Sequence, residues 1–189
     1  MPWKNDQVSE SDTTKILQAA QKALQVPGDF VEFGCYKGDT SLLLAELLRK
    51  NHSNKKLWLY DSFKGLPEKS PQDQNELNPE FQQGSLSVSK RELKVRFLHA
   101  NLPVPIIKKA WFSDLTPDDL PTKIAFAFLD GDFYESIKRS LHLITPYLTS
   151  DSIIVVHDYT NHKLPGVAKA VDELIANPKN PSFQNLVLL

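Results

Sequence analysis

Apolar residues recur along the chain in two alternating patterns, one with helical spacing and one of short continuous runs. The segment "TTKILQAAQKALQV" places its apolar residues on one face of a helix, which Asp12 is positioned to cap and which Pro27-Gly28 ends. "DFVEFG" then predicts a short buried strand, "TSLLLAELLRKN" a helix and "KKLWLYD" a second strand. This order of elements predicts two parallel strands joined by a helix.

The same alternation continues to the last residue. It predicts helices in "SKRELKVRFLHANL", "YESIKRSLHLITPYL" and "GVAKAVDELIAN", and strands in "PIIKKAWF", "TKIAFAFLD", "DSIIVVHDY" and "FQNLVLL". Residues 63–86 are rich in proline, glutamine and asparagine and predict a long loop or a mobile lid. We therefore expect a doubly wound α/β fold, with a mostly parallel sheet and helices on both faces.

Composition narrows the class of protein. A length of 189 residues suits a single domain over residues 1–189, with residues 1–27 as an N-terminal helical segment. The net charge of −1 provides no overall field for nucleic acid or a membrane surface. The single cysteine excludes an internal disulfide, and no apolar run has the length of a membrane span. The polar start lacks a secretion-signal pattern, so we expect a cytoplasmic protein.

Polar residues follow every predicted strand. In an open parallel sheet, ligands bind outside the carboxyl ends of the strands. Those ends carry Glu32 to Gly38, Asp61-Ser62, Trp111-Phe112-Ser113, Asp130-Gly131-Asp132 and His157-Asp158-Tyr159. Each group alone has a structural explanation, such as a turn glycine, a helix cap at Asp39 or Thr40, or a half-buried histidine. Their coincidence at one edge predicts a functional cleft.

The first of these groups indicates the kind of ligand. Gly34 and Gly38 are spaced Gly-x-x-x-Gly and lack the Gly-x-Gly-x-x-Gly run of a pyrophosphate site, while Asp61 lies where a ribose-binding acid is expected. S-adenosylmethionine, which has a ribose but no phosphate, fits better than a dinucleotide. We expect Glu32 and the glycine turn at its amino-acid end, Asp61 at the ribose and Trp111 at the adenine.

Five ordered blocks resemble the macrocin O-methyltransferase family, class I S-adenosylmethionine-dependent enzymes that methylate sugar hydroxyls of natural products. The blocks are "VEFGCYKGDTS", "YDSFKGLP", "AWFSDLTPDDLP", "LDGDFYESIKRSLHLITPYL" and "IIVVHDYTNHKLPGVAKAVDEL", between Phe30 and Leu174. The first block also resembles that of catechol-type O-methyltransferases. The resemblance implies a Rossmann-like methyltransferase fold. The cofactor-binding residues expected with it are Glu32, Gly34, Cys35, Tyr36, Gly38, Thr40, Asp61, Ser62, Trp111 and Asp130.

The resemblance also implies a divalent metal beside the transferred methyl group, held by Asp130, His157 and Asp158. Where the family usually has Asp-Asp-Tyr, this chain has His157-Asp158-Tyr159. Magnesium prefers oxygen ligands, whereas imidazole suits manganese, iron, nickel or zinc. We expect magnesium, with manganese as the alternative that His157 introduces. Asp132 is a spare carboxylate that we interpret as a helix cap.

The expected reaction is methylation of a small-molecule hydroxyl, that of a sugar or another natural product, with an aromatic hydroxyl as the alternative acceptor. Asp130 is the predicted catalytic residue, as a metal ligand that also receives the hydroxyl proton, and His157 is the alternative base. The acceptor is expected to contact residues 63–86 and the turn at residues 161–164. Lys37 is interpreted as a solvated side chain.

Two other functions stay open at this stage. One is a non-catalytic α/β module that binds S-adenosylmethionine or a nucleotide, and the less favoured one is an NAD(P)-binding oxidoreductase. Class I methyltransferases usually close the sheet with a reversed hairpin after the fifth strand, but here only "FQNLVLL" follows. Either that strand completes the sheet, or the C-terminal edge is shortened and pairs with a second chain in a homodimer.

Overall fold

The structure is a computed structural model that describes residues 5–176 and 185–189. Its helices are α1 (Glu10–Ala23), α2 (Asp39–Lys50), α3 (Lys90–His99), α4 (Tyr134–Ile144) and α5 (Pro165–Ala176). Its strands are β1 (Asp29–Phe33), β2 (Leu57–Asp61), β3 (Ile106–Lys109), β4 (Ile124–Leu129), β5 (Leu148–Val156) and β6 (Leu186–Leu188). None of the described helices has the length and apolar character needed to cross a bilayer.

The strands form one sheet in the order β3-β2-β1-β4-β5-β6, and each neighbouring pair is parallel. Strand order reverses between β1 and β4, so the carboxyl ends of these two strands mark the switch point where such folds bind ligands. The doubly wound α/β fold is confirmed. Strand β6 pairs in parallel with β5, with Val187 opposite Val155, so the last strand extends the sheet.

Apolar side chains cover both faces of the sheet. Phe30 of β1 packs with the cluster that contains the buried residues of α1, α2 and α3, whereas Val31 and Phe33 pack with α4 and α5. Strand β4 is buried at all of its positions because it lies in the middle of the sheet. The period-two alternation of β1 therefore assigns Glu32 to the same face as Phe30.

The starts of α1 and α2 differ from the sequence prediction. Ser9, rather than Asp12, caps α1, and its Oγ accepts a hydrogen bond from the Asp12 backbone N–H at 3.0 Å. Gly38 is the N-cap residue of α2, in the left-handed conformation at φ +84°. Asp39 instead pairs with Arg96 of α3, with 2.6 Å between Oδ1 and Nη2. The salt bridge holds the turn after β1 against α3.

Residues 63–86 form an irregular loop with one short 3₁₀ turn, Pro71–Asp73. Its base is closed by two backbone hydrogen bonds, from Leu66 N–H to Ser85 carbonyl oxygen at 2.8 Å and from Gly84 N–H to Leu66 carbonyl oxygen at 2.9 Å. The predicted loop is therefore present. Its two ends lie close together at the edge of the sheet, where these hydrogen bonds join them.

Asp73 joins this loop to the helices behind it. Its buried carboxylate accepts hydrogen bonds from the Tyr134 backbone N–H at 2.7 Å and from the Ser70 backbone N–H at 3.0 Å. Asn78, also buried, donates to the Lys163 carbonyl oxygen at 2.8 Å. Because Tyr134 is the first residue of α4, the loop supplies the carboxylate that satisfies that helix terminus.

Candidate active site

A cleft opens at the carboxyl edge of the sheet, beside the switch point between β1 and β4. Residues from every described strand end except β6 contribute to its wall, together with the 63–86 loop and the segment before α1. The lining residues are Gln7, Gly34, Tyr36, Asp61, Ser62, Gly65, Leu66, Pro67, Phe81, Leu86, Trp111, Phe112, Asp130, Gly131, Asp132, Ser136, His157, Asp158 and Asn161. The predicted convergence of polar strand ends on one cleft is thus observed.

Asp61 organises the turn after β1. Its Oδ2 accepts hydrogen bonds from the backbone N–H groups of Cys35 and Tyr36, each at 3.0 Å, and its Oδ1 accepts one from Phe63 N–H at 2.7 Å. A carboxylate offers about four acceptor positions, so about one remains for a ligand. The geometry therefore leaves Asp61 room to accept one hydroxyl of the ribose that is expected there.

Asp130, His157 and Asp158 form a compact cluster at the ends of β4 and β5. The Nδ1 atom of His157 lies 3.0 Å from Asp130 Oδ1 and 3.0 Å from Asp158 Oδ2. The possible ligand atoms of the three residues all lie within 4.8 Å of one another. The predicted metal-ligand set is therefore brought together, with an imidazole between two carboxylates.

The charges in this cluster stabilise one another. Burial opposes protonation of His157, but the two neighbouring carboxylates outweigh it and raise its pKa to about 11. Burial also disfavours ionised Asp158, but hydrogen bonds from His157 and from Asn161, at 2.8 Å, lower the pKa of that carboxyl. In the absence of a metal ion, protonated His157 is the cation that balances the carboxylates.

Asp132 does not cap α4, contrary to the prediction. The N-cap residue is Phe133, and the Tyr134 N–H bonds to Asp73 instead. Asp132 is half-buried on the cleft wall, where burial and the negative charges of Asp130 and Asp158 raise its pKa well above its ordinary value. Asp132 lines the same cleft as Asp130, and its carboxyl group is a second candidate to exchange a proton there.

Several residues with left-handed backbone conformations lie at the carboxyl edge of the sheet. Tyr36, Phe63, Asp132 and Asp158 all have positive φ, at 43°, 54°, 61° and 62°. They follow the ends of β1, β2, β4 and β5 respectively. Such conformations are costly for residues other than glycine and cluster at functional sites, where the surrounding structure holds them in place.

The other predicted cofactor residues lie at different depths. Gly34, Tyr36, Asp61, Ser62, Trp111 and Asp130 line the cleft. Glu32, Cys35, Gly38 and Thr40 are buried and lie behind its wall. Cys35 contributes its backbone N–H to Asp61, and Thr40 Oγ1 accepts a hydrogen bond from the Asn5 side chain at 2.8 Å. A direct contact of these four with a cofactor stays a prediction.

Glu32 is a buried carboxyl without a full set of partners. It is 1% exposed, and its Oε2 atom has no hydrogen-bond partner among the described residues. Burial, with the negative charges of Asp130, Asp61 and Asp39, raises its pKa from 4.5 to about 8. Glu32 is therefore protonated at neutral pH.

We expect Glu32 to make the protein less stable as pH rises from about 4.5 to about 8. In that window the folded protein keeps a proton that the unfolded chain has lost, so the free energy of unfolding falls by up to about 1.4 kcal/mol per pH unit. The difference in urea-unfolding free energy between the wild type and Glu32→Gln, measured from pH 5 to 9, should show this decline and level off above pH about 8. Glu32→Gln should remove this contribution, and curves that stay parallel for the two proteins would contradict it.

Several residues of the cleft have no clear sign in the sequence. Gln7 precedes α1, in a segment fixed by hydrogen bonds from Gln7 N–H and Val8 N–H to Asn5 Oδ1 at 3.1 and 3.0 Å. Phe81 reaches the wall only because the loop folds back. The Ser-x-x-Asp spacing of Ser70 and Asp73 does signal a capping box, which forms, although its contact with α4 is not encoded locally.

Comparison with known proteins identifies the family. The sequence matches the macrocin-O-methyltransferase (TylF) family over residues 12–180. The chain belongs to this family. Membership confirms the resemblance noted from the five sequence blocks.

Two curated relatives of this TylF-family chain come from Streptomyces. An 8-demethyl-8-(2,3-dimethoxy-alpha-L-rhamnosyl)-tetracenomycin-C 4'-O-methyltransferase of Streptomyces olivaceus is 29% identical over 140 residues, which are 71% of this chain and 54% of the relative. A demethyldecarbamoylnovobiocin O-methyltransferase of Streptomyces niveus is 29% identical over 154 residues, which are 78% of this chain and 58% of the relative. The chain thus spans little more than half the length of these relatives.

Solved structures support the same fold. The O-methyltransferase NovP superposes with a TM-score of 0.75 at 28% identity, covering 87% of this chain and 71% of NovP. An O-methyltransferase from Bacillus cereus in complex with SAH superposes with a TM-score of 0.63 at 12% identity, covering 94% of this chain and 74% of that one. The second likeness concerns the fold alone. The TylF-family chain has the Rossmann-like methyltransferase fold.

Proposed function

We propose that this chain is an S-adenosylmethionine-dependent O-methyltransferase that acts on a hydroxyl of a sugar or natural product, assisted by a divalent cation. The observation that carries the proposal is a single cleft with two parts. Gly34 and Asp61, at the ends of β1 and β2, line one part, and the Asp130–His157–Asp158 cluster lines the other. One half suits a ribose-containing cofactor and the other a cation. Family membership and the sugar named in the tetracenomycin relative support the same activity and acceptor class.

The residues present fit both groups. Gly34 opens its backbone to the cleft, and Asp61 retains an acceptor position for a hydroxyl. Two carboxylates and an imidazole supply three ligand atoms for a divalent cation. When bound, S-adenosylmethionine supplies an electrophilic methyl group and the cation supplies positive charge that lowers the pKa of a hydroxyl.

The protein's own residues then have three tasks. The cleft walls align the acceptor oxygen with the methyl group, because displacement requires an in-line approach. Methyl transfer from a bound cofactor would release the proton of the acceptor hydroxyl, and a carboxylate of the cleft wall would accept that proton. Asp130 and Asp132 both line this cleft. Burial and the neighbouring negative charges raise the pKa of Asp132 and favour its protonated form, so Asp130 is the carboxylate that we assign as the proton acceptor. The 63–86 loop contributes the apolar side chains of Leu66, Phe81 and Leu86 on the acceptor side.

Titration calorimetry with S-adenosylmethionine and its demethylated product tests the cofactor. We expect wild-type protein to bind both, and Asp61→Asn to weaken binding at least about tenfold, because a hydrogen bond to a charged group and the support of the β1 turn are lost together. Asp118→Asn, at an exposed position, is the matched control and should bind normally. Absence of binding to folded wild-type protein would reject the proposal, and unchanged affinity in Asp61→Asn would reject the role of Asp61.

Turnover separates the enzyme from a non-catalytic module. Formation of the demethylated cofactor should be followed with a panel of rhamnosyl natural products, demethyldecarbamoylnovobiocin and aromatic hydroxyls. Turnover with sugar hydroxyls alone would support the proposed acceptor class. Cofactor binding without turnover, across the panel and with each divalent metal, would favour the binding module. The oxidoreductase alternative predicts affinity for NAD(P) instead, and family membership argues against it.

A further inference from the structure

His157 places a nitrogen ligand where the rest of the cluster offers only oxygen. We infer that His157 makes the Asp130–His157–Asp158 cluster selective for a transition-metal ion, of the Mn²⁺ type, over Mg²⁺. The inference rests on the proposed function insofar as that function assigns a cation to this cluster. It concerns which ion the cluster prefers, and it can be measured by binding alone.

The imidazole nitrogen of His157 lies close to both carboxylates that would bind the ion. Nδ1 is 3.0 Å from one oxygen of each carboxylate. Adjacent ligands around an octahedral ion with bonds of about 2.1 Å are separated by about 3.0 Å, so Nδ1 occupies the position of a ligand between the two oxygens. An ion held on the imidazole side of these two oxygens would therefore also have Nδ1 within reach as a ligand.

Packing keeps the imidazole at this position. The His157 side chain is 11% exposed, and its ring centroid lies 6.2 Å from that of Phe128 in the sheet. Its backbone N–H donates to the Leu129 carbonyl oxygen at 3.0 Å, which fixes the chain where β5 ends. The side chain is thus held against the end of β4 and is not a solvent-exposed histidine that happens to approach two carboxylates.

Ligand chemistry then determines the preference. Mg²⁺ retains its water strongly and favours hard oxygen ligands, whereas Mn²⁺ and later first-row ions accept imidazole. Replacing a carboxylate by a neutral imidazole also leaves two negative ligands in the cluster, which weakens the electrostatic attraction that a Mg²⁺ site depends on. Both effects lower Mg²⁺ affinity more than Mn²⁺ affinity.

The test uses the whole chain, stripped of metal with a chelator, and titrates Mn²⁺ while electron paramagnetic resonance follows the free ion. Competition with Mg²⁺ gives the affinity ratio. We expect Mn²⁺ to bind at least about tenfold more tightly than Mg²⁺, and His157→Asp to reduce that ratio at least about tenfold. His162→Asp adds the same charge at an exposed position of the following turn and should leave the ratio unchanged.

Pulsed electron paramagnetic resonance gives an independent readout. Bound Mn²⁺ should show coupling to an imidazole nitrogen in the wild type and in His162→Asp, and the coupling should disappear in His157→Asp. Equal Mn²⁺ and Mg²⁺ affinity, an unchanged ratio in His157→Asp, absence of nitrogen coupling, or absence of metal binding would each overturn the inference. Cofactor calorimetry is measured separately, so failure of cofactor binding is distinguishable from failure of metal selectivity.

Discussion

Asp130→Asn should lower the rate of methyl transfer about 10²- to 10⁴-fold, the range observed when a positioned acid or base is removed. The substitution preserves shape but removes a charge that contacts His157 Nδ1 at 3.0 Å and lies on the cleft wall. It therefore removes a cation ligand and a proton acceptor together. Initial rates of demethylated-cofactor formation, with any acceptor that turns over, measure the effect.

Asp151→Asn is the matched control for this change. It makes the same substitution at an exposed position of β5, and its rate should equal that of the wild type. Thermal unfolding of both variants shows whether a lower rate reflects chemistry or a lower folded fraction. An Asp130→Asn enzyme that keeps more than about one tenth of the wild-type rate would contradict the assigned role.

Gly34→Ala should destabilise the fold by more than about 3 kcal/mol and abolish cofactor binding. A Cβ atom at Gly34 would lie 1.9 Å from the Asp130 carbonyl oxygen, and φ is +86°. The backbone of β4 is hydrogen-bonded here, with Asp130 N–H donating to the Phe33 carbonyl oxygen at 2.9 Å. Relief of the overlap must therefore separate β1 from β4 at the switch point.

Gly84→Ala distinguishes this overlap from simple backbone strain. Gly84 has nearly the same φ, +84°, but a Cβ atom there would have no neighbour within 4 Å. Its cost should be about 1 kcal/mol, the usual penalty of left-handed backbone for a residue with a side chain. Chemical unfolding should separate the two variants clearly, and equal losses would show that the contact with Asp130 does not matter.

The fold and the position of the cleft could be predicted from the sequence because they depend on local patterns. Apolar runs separated by helical segments predicted parallel strands, and parallel strands bring their carboxyl ends to one edge. That rule alone placed Gly34, Asp61, Trp111, Asp130 and His157 together, and all five line the cleft. The sequence spacing of Gly34, Gly38 and Asp61 indicated the type of ligand and not the position of the cleft.

Details of the site that depend on tertiary contacts could not be predicted from the sequence. The role of Asp132 was wrongly predicted because a carboxylate before a helix is usually its cap, yet here Asp73 takes that place from 61 positions away in sequence. No local pattern couples Asp73 to Tyr134. Similarly, the position of Glu32 behind the cleft wall and the contribution of Gln7 to that wall depend on tertiary packing, which periodicity does not specify.

The closed base of the 63–86 loop has a consequence for how this fold can accept sequence change. The hydrogen bonds between Leu66 and residues 84–85 close the excursion at its neck, and Asp73 and Asn78 dock it to the helices. We expect substitutions of exposed side chains between these fixed points to leave the sheet intact. Diversification of acceptor preference, by selection or by design, is therefore expected to tolerate new residues around Phe81 while retaining Asp73 and Asn78.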